Sequence, residues 1–259
     1  MIIRKTEAEV ETMARAGEVV ASTLDLLERS AKPGVSLAEL DRLAEEHIRG
    51  HGGVPSFKGY RGFPGSICAS PNAMVVHGIP GPYQLEDGDL LSVDVGVTLD
   101  GYVADSAITF VVGEKSMPQA LDLIDACQAG LEAAIRECRA GRRLGDVSHA
   151  VQEVVEARGY GVVRSLVGHG VGRAMHEDPQ IPNYGPPGRG PKLAPGMVFA
   201  IEPMITAGGF DVEPGDDGWA VYTRDGSLAA HCEHTVAVTD NGPRVLTRRQ
   251  AGPEAGQRC

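Results

Sequence analysis

Apolar residues recur with helical spacing through MARAGEVVASTLDLLERSA, and the Thr6 and Glu9 pair ahead of them is a capping-box signature. Pro33 and Gly34 stop that helix. Ser36 with Glu39 opens a second, LAELDRLAEEHIRG, which runs to Gly50, Gly52 and Gly53. A third follows Ser116, with Pro118 in its first turn, and continues through ALDLIDACQAGLEAAIRECRA to Gly141. Asp146 caps a fourth that ends near Gly159. Between the second and third the periodicity changes. LLSVDVGVTLDGYVADSAITFVV is rich in Val, Ile and Leu around a central Asp100-Gly101, which predicts a β-hairpin with a two-residue turn.

The two helix pairs form a weak internal repeat. Gly34, Leu37, Glu39, Leu40, Glu46, Ile48 and Gly52 match Gly141, Leu144, Asp146, Val147, Glu153, Val155 and Gly159 at a constant offset of 107. Chance similarity between amphipathic helices is the alternative. As a repeat, it predicts two α+β halves, roughly 6–113 and 116–248, packed around a shared seam without a linker, so that 1–259 is one domain. PQIPNYGPPGRGPKLAPG, residues 179–196, is too rich in Pro and Gly for regular structure and reads as an ordered surface loop. Residues 250–259 read as a frayed tail.

The chain has 259 residues, 42% of them hydrophobic, enough for a substantial core. No apolar run approaches the roughly 18 residues of a membrane span, and MIIRKTEAEVE lacks the apolar core of a signal peptide, so a cytoplasmic protein is expected. Five widely spaced cysteines indicate neither a disulfide framework nor a CxxC zinc site. A formal charge of -11 argues against nucleic-acid binding, and metal ions could neutralise part of it.

The hairpin carries two misplaced acids. A turn at Asp100-Gly101 pairs Leu99 with Tyr102, Thr98 with Val103, Val97 with Ala104 and Gly96 with Asp105. Side chains alternate with period 2, so Asp94, Gly96 and Asp105 share a face and the two carboxylates are diagonal neighbours. At roughly 7–8 Å between Cα atoms, they can hold divalent cations between them. A solvated sheet face is the alternative for this segment alone.

Further acids and imidazoles follow. GHGVGRAMHEDP places His169 and His176 among Gly168, Gly170 and Gly172, after a β-like VVRSLV run. MVFAIEPMI puts Glu202 on the face of Val198 and Ala200, with Pro203 confining it to an edge or a strand end. The last strand, HCEHTVAVT, carries Glu233, for which a solvated strand end is the alternative. Asp94, Asp105, Glu202, Glu233 and a histidine form an oxygen-rich set without thiolate. It suits a pair of Mn²⁺, Fe²⁺, Co²⁺ or Zn²⁺ ions, and a pair about 3.5–4 Å apart points to hydrolysis.

With VVHGIP, the VDVG to DGYVADSA hairpin, GHGVGRAMHEDP, FAIEPM and EHTVAVT in this order, the chain resembles the type I methionine aminopeptidases of the bacterial kind. The resemblance spans roughly residues 4–248. It implies the α+β pita-bread fold, with two pseudo-symmetric halves and a central antiparallel sheet covered by helices. It also implies two divalent ions, with Asp94 chelating one, Asp105 and Glu233 bridging both, and His169 with Glu202 completing the other. A hydroxide between the ions would attack the scissile carbonyl, and Glu202 would pass a proton to the leaving amine. The substrate's free α-amine would bind a metal, hence an exopeptidase. His77, otherwise a loop histidine in a turn, would lie near the scissile amide, and His176 would contact the substrate and its developing oxyanion. The methionine pocket would comprise Phe57, Tyr60, Phe63, Cys68, Met175 and Trp219. Phe57 replaces a frequent cysteine and Met175 a common phenylalanine, and both stay apolar. Phe57 and Phe63 could equally be packing residues.

The expected activity is removal of the initiator methionine from nascent chains with a small second residue, by a monomer in transient contact with the ribosome. The chain's own Ile2 is too bulky for that rule, so Met1 should be retained. The rivals are an X-Pro hydrolase such as prolidase or aminopeptidase P, and a catalytically dead pita-bread binding protein. The first helix begins at Thr6, which leaves no room for the extra N-terminal domain usual in X-Pro hydrolases. Type II methionine aminopeptidases insert a helical segment where His169 and Glu202 have a short Pro-rich stretch. No ligand position has been lost, against the binding protein.

Overall fold

The computed structural model describes residues 1–115 and 117–249, so Ser116 and the 250–259 tail lie outside the described residues. The first half runs α1 (Glu7–Ser30), α2 (Leu37–Gly50), β1 (Val54–Pro55), a 3-10 turn at Tyr60–Gly62, β2 (Cys68–Pro71), β3 (Met74–Val76), β4 (Leu90–Leu99) and β5 (Tyr102–Val111). The second opens with α3 (Pro118–Glu137), α4 (Leu144–Ala157), β6 (Gly161–Val162), β7 (Gly168–Gly170) and β8 (Glu177–Ile181). Then come β9 (Val198–Ile201), β10 (Met204–Thr206), β11 (Val212–Pro214), β12 (Val221–Thr223), β13 (Ala229–His231), β14 (His234–Thr239) and β15 (Gly242–Val245). No helix among the described residues is long and apolar enough to cross a membrane.

The caps act largely as the sequence predicts. Thr6 Oγ1 accepts the Glu9 N–H at 3.3 Å while the Glu9 carboxylate accepts the Thr6 N–H at 2.8 Å. Ser36 Oγ accepts the Glu39 N–H at 3.2 Å. The fourth helix differs. Arg143 is its cap, and Asp146 works from inside the first turn by accepting the Arg143 N–H at 2.8 Å. The repeat is reproduced in the backbone: α4 starts and ends 107 positions beyond α2, at Leu144 against Leu37 and Ala157 against Gly50. Isolated bridges at Ser36 and Arg143 keep the same offset.

All strand pairs are antiparallel, but hydrogen bonding divides them into sheets of four, three, three and five strands rather than one continuous central sheet. The largest runs β15-β14-β9-β7-β8, and β4 holds β1, β2 and β5. The α1–α2 pair buries Leu24, Leu27, Leu40 and Ile48 against Val93, Val95 and Val97 of β4. The α3–α4 pair covers Phe199, Ile201, Val236 and Val238 of β9 and β14.

Three local expectations change. Only Val162 of the VVRSLV run is in a strand, because the chain turns away after Val163 bonds to Met204. Pro179–Ile181 belong to β8, so the Pro-rich loop starts only after Ile181; β8 is an edge strand, where a missing N–H is tolerated. HCEHTVAVT is split between β13, which ends at His231, and β14, which starts at His234, and it is not the last strand, since β15 follows.

The seam between the halves is closed by hydroxyls. Thr235 Oγ1 accepts the Asp105 N–H at 2.9 Å and donates to the Asp105 carbonyl at 2.8 Å. Thr109 Oγ1 does the same for His231, accepting its N–H at 2.9 Å and donating to its carbonyl at 2.7 Å. Ser106 Oγ donates to the Glu233 carbonyl, and the Glu233 N–H bonds to the Ala107 carbonyl at 2.9 Å. Each threonine stands in for a missing strand rung and satisfies buried backbone groups of a residue at the centre.

Candidate metal centre

The β4–β5 register is the one the turn predicts, with Gly96 opposite Asp105, Leu99 opposite Tyr102, and Asp100 and Gly101 at φ 50° and 78°. Asp94 pairs with Ala107 across β5 and with Cys68 across β2, so Asp94 and Asp105 are diagonal neighbours on one face. Asp105 is only 3% exposed, which excludes the solvated alternative.

Glu202 and Glu233 arrive by a shared break in two neighbouring strands. β9 pairs with β14 up to Ile201 and His234, and β10 pairs with β13 from Met204 and His231 onward. Between them Glu202-Pro203 faces Cys232-Glu233, where each chain passes from one sheet to another. Pro203 has no N–H to continue the ladder. Glu202 is therefore at a strand end, as Pro203 predicts, while Glu233, at 2% exposure, is buried rather than solvated.

His169 lies on β7 opposite Ala200. Its Nδ1–H donates to the Gly170 carbonyl at 2.9 Å, which leaves the Nε2 lone pair facing Glu202 at 3.4 Å and Asp105 at 3.9 Å. The neighbouring glycines are needed here. A Cβ on Gly168 would lie 2.5 Å from the Ala200 oxygen, and one on Gly170 would lie 2.1 Å from the Asp178 oxygen. His176 stands beside His169, with ring centroids 4.2 Å apart, and its Nδ1 is hydrogen-bonded to the Tyr60 hydroxyl at 3.0 Å. His77 follows β3 at φ 62° with its side chain exposed, close enough to oppose charging of His176 and His231.

The electrostatics identify what the acids lack. Ligand atoms of Asp105, His169 and Glu233 all lie within 4.8 Å of one another. Asp94 Oδ1, Asp105 Oδ1 and Glu233 Oε1 are buried without a hydrogen-bond partner among the described residues. Burial pushes Asp94 up to about 7, and burial plus neighbouring carboxylates push Asp105, Glu202 and Glu233 well above the usual range. Burial first, and His176 second, hold His169 down to about 4, neutral and able to ligate. Crowded buried carboxylates with orphaned oxygens beside a neutral imidazole fit divalent cations in donor type and charge.

Next to the acids lies an apolar cluster containing all six residues expected in the pocket. Phe57, Phe63, Cys68 and Met175 are buried in it, with Tyr60 and Trp219 packed against them. The Phe63 and Trp219 rings meet edge to face at 5.1 Å. Sequence reasoning missed Ile79, which joins the cluster from VVHGIP, and Asn183, whose Nδ2 donates to the Glu202 carbonyl at 2.9 Å. It also missed His231, whose only signal was its place two residues before Glu233.

The fold brings buried acids and an imidazole together across a seam as a candidate metal centre, and the class is that of the metallopeptidases: the model described as metallopeptidase family M24 matches residues 11–240. The methionine aminopeptidase of Clostridium acetobutylicum is 54% identical over 248 residues, covering 95% of this chain and 99% of its own. The crystal structure of methionine aminopeptidase from Thermotoga maritima superposes with TM-score 0.94 at 44% identity, covering 96% of this chain and all of that one. Prolidase from Pyrococcus furiosus shares the fold at TM-score 0.79 and 24% identity, over 96% of this chain and 66% of its own. The chain therefore belongs to metallopeptidase family M24, in its methionine aminopeptidase branch, and has the pita-bread fold.

Proposed function

We propose that this chain removes the initiator methionine from nascent proteins whose second residue is small. The observation that carries this is the grouping of Asp105, His169 and Glu233, with Glu202 3.4 Å from His169 and Asp94 diagonal to Asp105, beside an apolar cluster that contains Phe57, Phe63, Cys68 and Met175. Asp94, Asp105, His169, Glu202 and Glu233 would hold two divalent ions drawn from Co²⁺, Mn²⁺, Fe²⁺ and Zn²⁺. Bound there, such ions supply Lewis acidity and activated water at neutral pH.

The chain's own residues do the rest. Glu202 is the acid-base residue, taking a proton from the attacking water and giving it to the leaving amine. With Nδ1 of His176 held by Tyr60, its Nε2 is free to donate to the oxyanion that develops on the scissile carbonyl. His77, on its strained turn, would lie near the scissile amide. Phe57, Tyr60, Phe63, Cys68, Met175 and Trp219 enclose the methionine side chain. The two halves act as one catalytic domain spanning 1–259. A nascent-chain substrate calls for a cytoplasmic monomer that meets the ribosome transiently.

The test is methionine release from Met-Gly and Met-Ala peptides, against turnover of X-Pro peptides, by chelated and metal-reconstituted protein. Reconstituted protein should release methionine and chelated protein should not. Activity confined to X-Pro peptides would sink the reading in favour of a prolidase-like hydrolase. Asp105→Asn should abolish turnover with folding intact.

A further inference from the structure

One buried polar atom beside the acids has no part in the centre described above. Nε2 of His231 has no hydrogen-bond partner among the described residues, and the residue is 2% exposed. The acceptors facing it are Oε2 of Glu202 and Oε2 of Glu233, each 3.9 Å away. The ladder builds this placement. Met204 lies opposite His231, so His231 sits beside the continuation of the strand that delivers Glu202. Thr109 clamps the His231 backbone from the other half of the molecule. On the far side, Oε1 of Glu202 is 3.4 Å from His169 Nε2. One carboxylate thus lies between two imidazoles, with a different ring facing each oxygen.

The two rings are not equivalent. His169 gives its N–H to a backbone carbonyl and turns a lone pair to the acids. Oε2 of Glu202 and Oε2 of Glu233 both face His231 Nε2, and when these carboxylates are ionised they can only accept, which makes that nitrogen the donor. Ala229 and Ala230 show that β13 otherwise uses small apolar side chains, and an aliphatic residue would avoid leaving a polar atom unpaired there.

We propose that His231 is a positioning residue for the metal centre: its Nε2, 3.9 Å from Oε2 of Glu202 in the metal-free chain, closes on that oxygen as a donor when the carboxylate is ionised on a cation, and so keeps Oε1 turned toward His169. The inference rests on the metallopeptidase reading above. It makes one side chain of β13 responsible for the orientation of a carboxylate on the neighbouring chain, as outer partners commonly orient metal-binding groups.

The experiment is a calorimetric titration of metal-free protein with Mn²⁺, for the wild type, His231→Leu and His231→Gln, with thermal unfolding of each metal-free protein as the folding control. His231→Leu should weaken Mn²⁺ binding by ~10–100-fold. His231→Gln, which restores an N–H donor at similar reach, should recover most of that affinity. With Mn²⁺ saturating, His231→Leu should also lower kcat on Met-Ala peptides more than it changes KM. Wild-type affinity in His231→Leu would overturn the proposal. Equal loss in both variants would overturn it as well, because a ligand, and not a donor, would then be what the site needs. If His231→Leu does not fold, His231→Phe keeps the ring volume and carries the same comparison. Wild-type protein that binds no Mn²⁺ would instead sink the parent reading, which separates the two failures.

Discussion

Gly96 shows how tightly single residues couple the acids to the pocket. It lies opposite Asp105 in the hairpin, and a Cβ there would stand 2.8 Å from the Phe57 ring. A methyl group at this position must displace the Phe57 ring, which the proposed function places in the methionine pocket. Gly96→Ala should therefore lower kcat/KM on Met-Ala by roughly tenfold, in line with an overpacking cost of about 1–3 kcal/mol, mainly through KM. Steady-state kinetics with intact circular dichroism would check it, and an unchanged KM would refute the contact. The same scale explains what was legible. Asp94 and Asp105 stood out because an acid inside an apolar period-2 run contradicts its surroundings. Two glutamates, at Glu202 and Glu233, were readable for the same reason. His231 was not, since a histidine near a strand end is unremarkable until the register shows which carboxylates it meets.

At the scale of elements, the N-terminal arm is tied to the loop that carries Met175 and His176. Lys5 Nζ and Glu177 Oε2 are 2.7 Å apart with side chains only 4% and 7% exposed. Glu177 Oε1 also accepts the Arg173 and Ala174 N–H groups at 2.9 and 3.3 Å. One carboxylate thus fixes the loop backbone on one oxygen and the arm on the other. Lys5→Met leaves that carboxylate buried without its cation and should cost roughly 3–5 kcal/mol in chemical denaturation. The double variant Lys5→Met/Glu177→Gln should recover part of the loss, and a Lys5→Met protein as stable as wild type would show the pair to be idle. The sequence does not announce this contact, because Lys5 and Glu177 are far apart in the chain and each alone reads as a surface charge. Helices and the hairpin were legible because caps and turn residues are local signals: Thr6 with Glu9, Ser36 with Glu39, Asp100 with Gly101. The strand breaks at Glu202-Pro203 and Cys232-Glu233 were not, since only the facing strand reveals that both chains change sheets at one level.

For the whole molecule, bringing four carboxylates into one seam sets folding against function whenever metal is removed. Burial raises Asp94 from 3.8 to about 7 in the folded chain, and Asp105, Glu202 and Glu233 shift in the same direction. Over that interval the folded protein holds more protons than the unfolded one, so its stability falls as pH rises through it. The buried histidines act oppositely: burial holds His169 to about 4 and His231 to about 3, so their contribution is lost as pH falls below 6.5. A comparison that cancels the histidines isolates the acid. Asp94→Asn keeps the shape of a protonated carboxyl and cannot ionise. In chelator, its melting temperature should overtake the wild type's progressively between pH 4 and about 7, and the gap should level off above that. Saturating Mn²⁺ should invert the order at pH 7.5, because cation binding to deprotonated ligands stabilises only the folded wild type fully. A gap in chelator that does not vary with pH would mean that Asp94 ionises as freely in the folded chain as in water, and the crowding of acids at the seam would then carry no energetic cost.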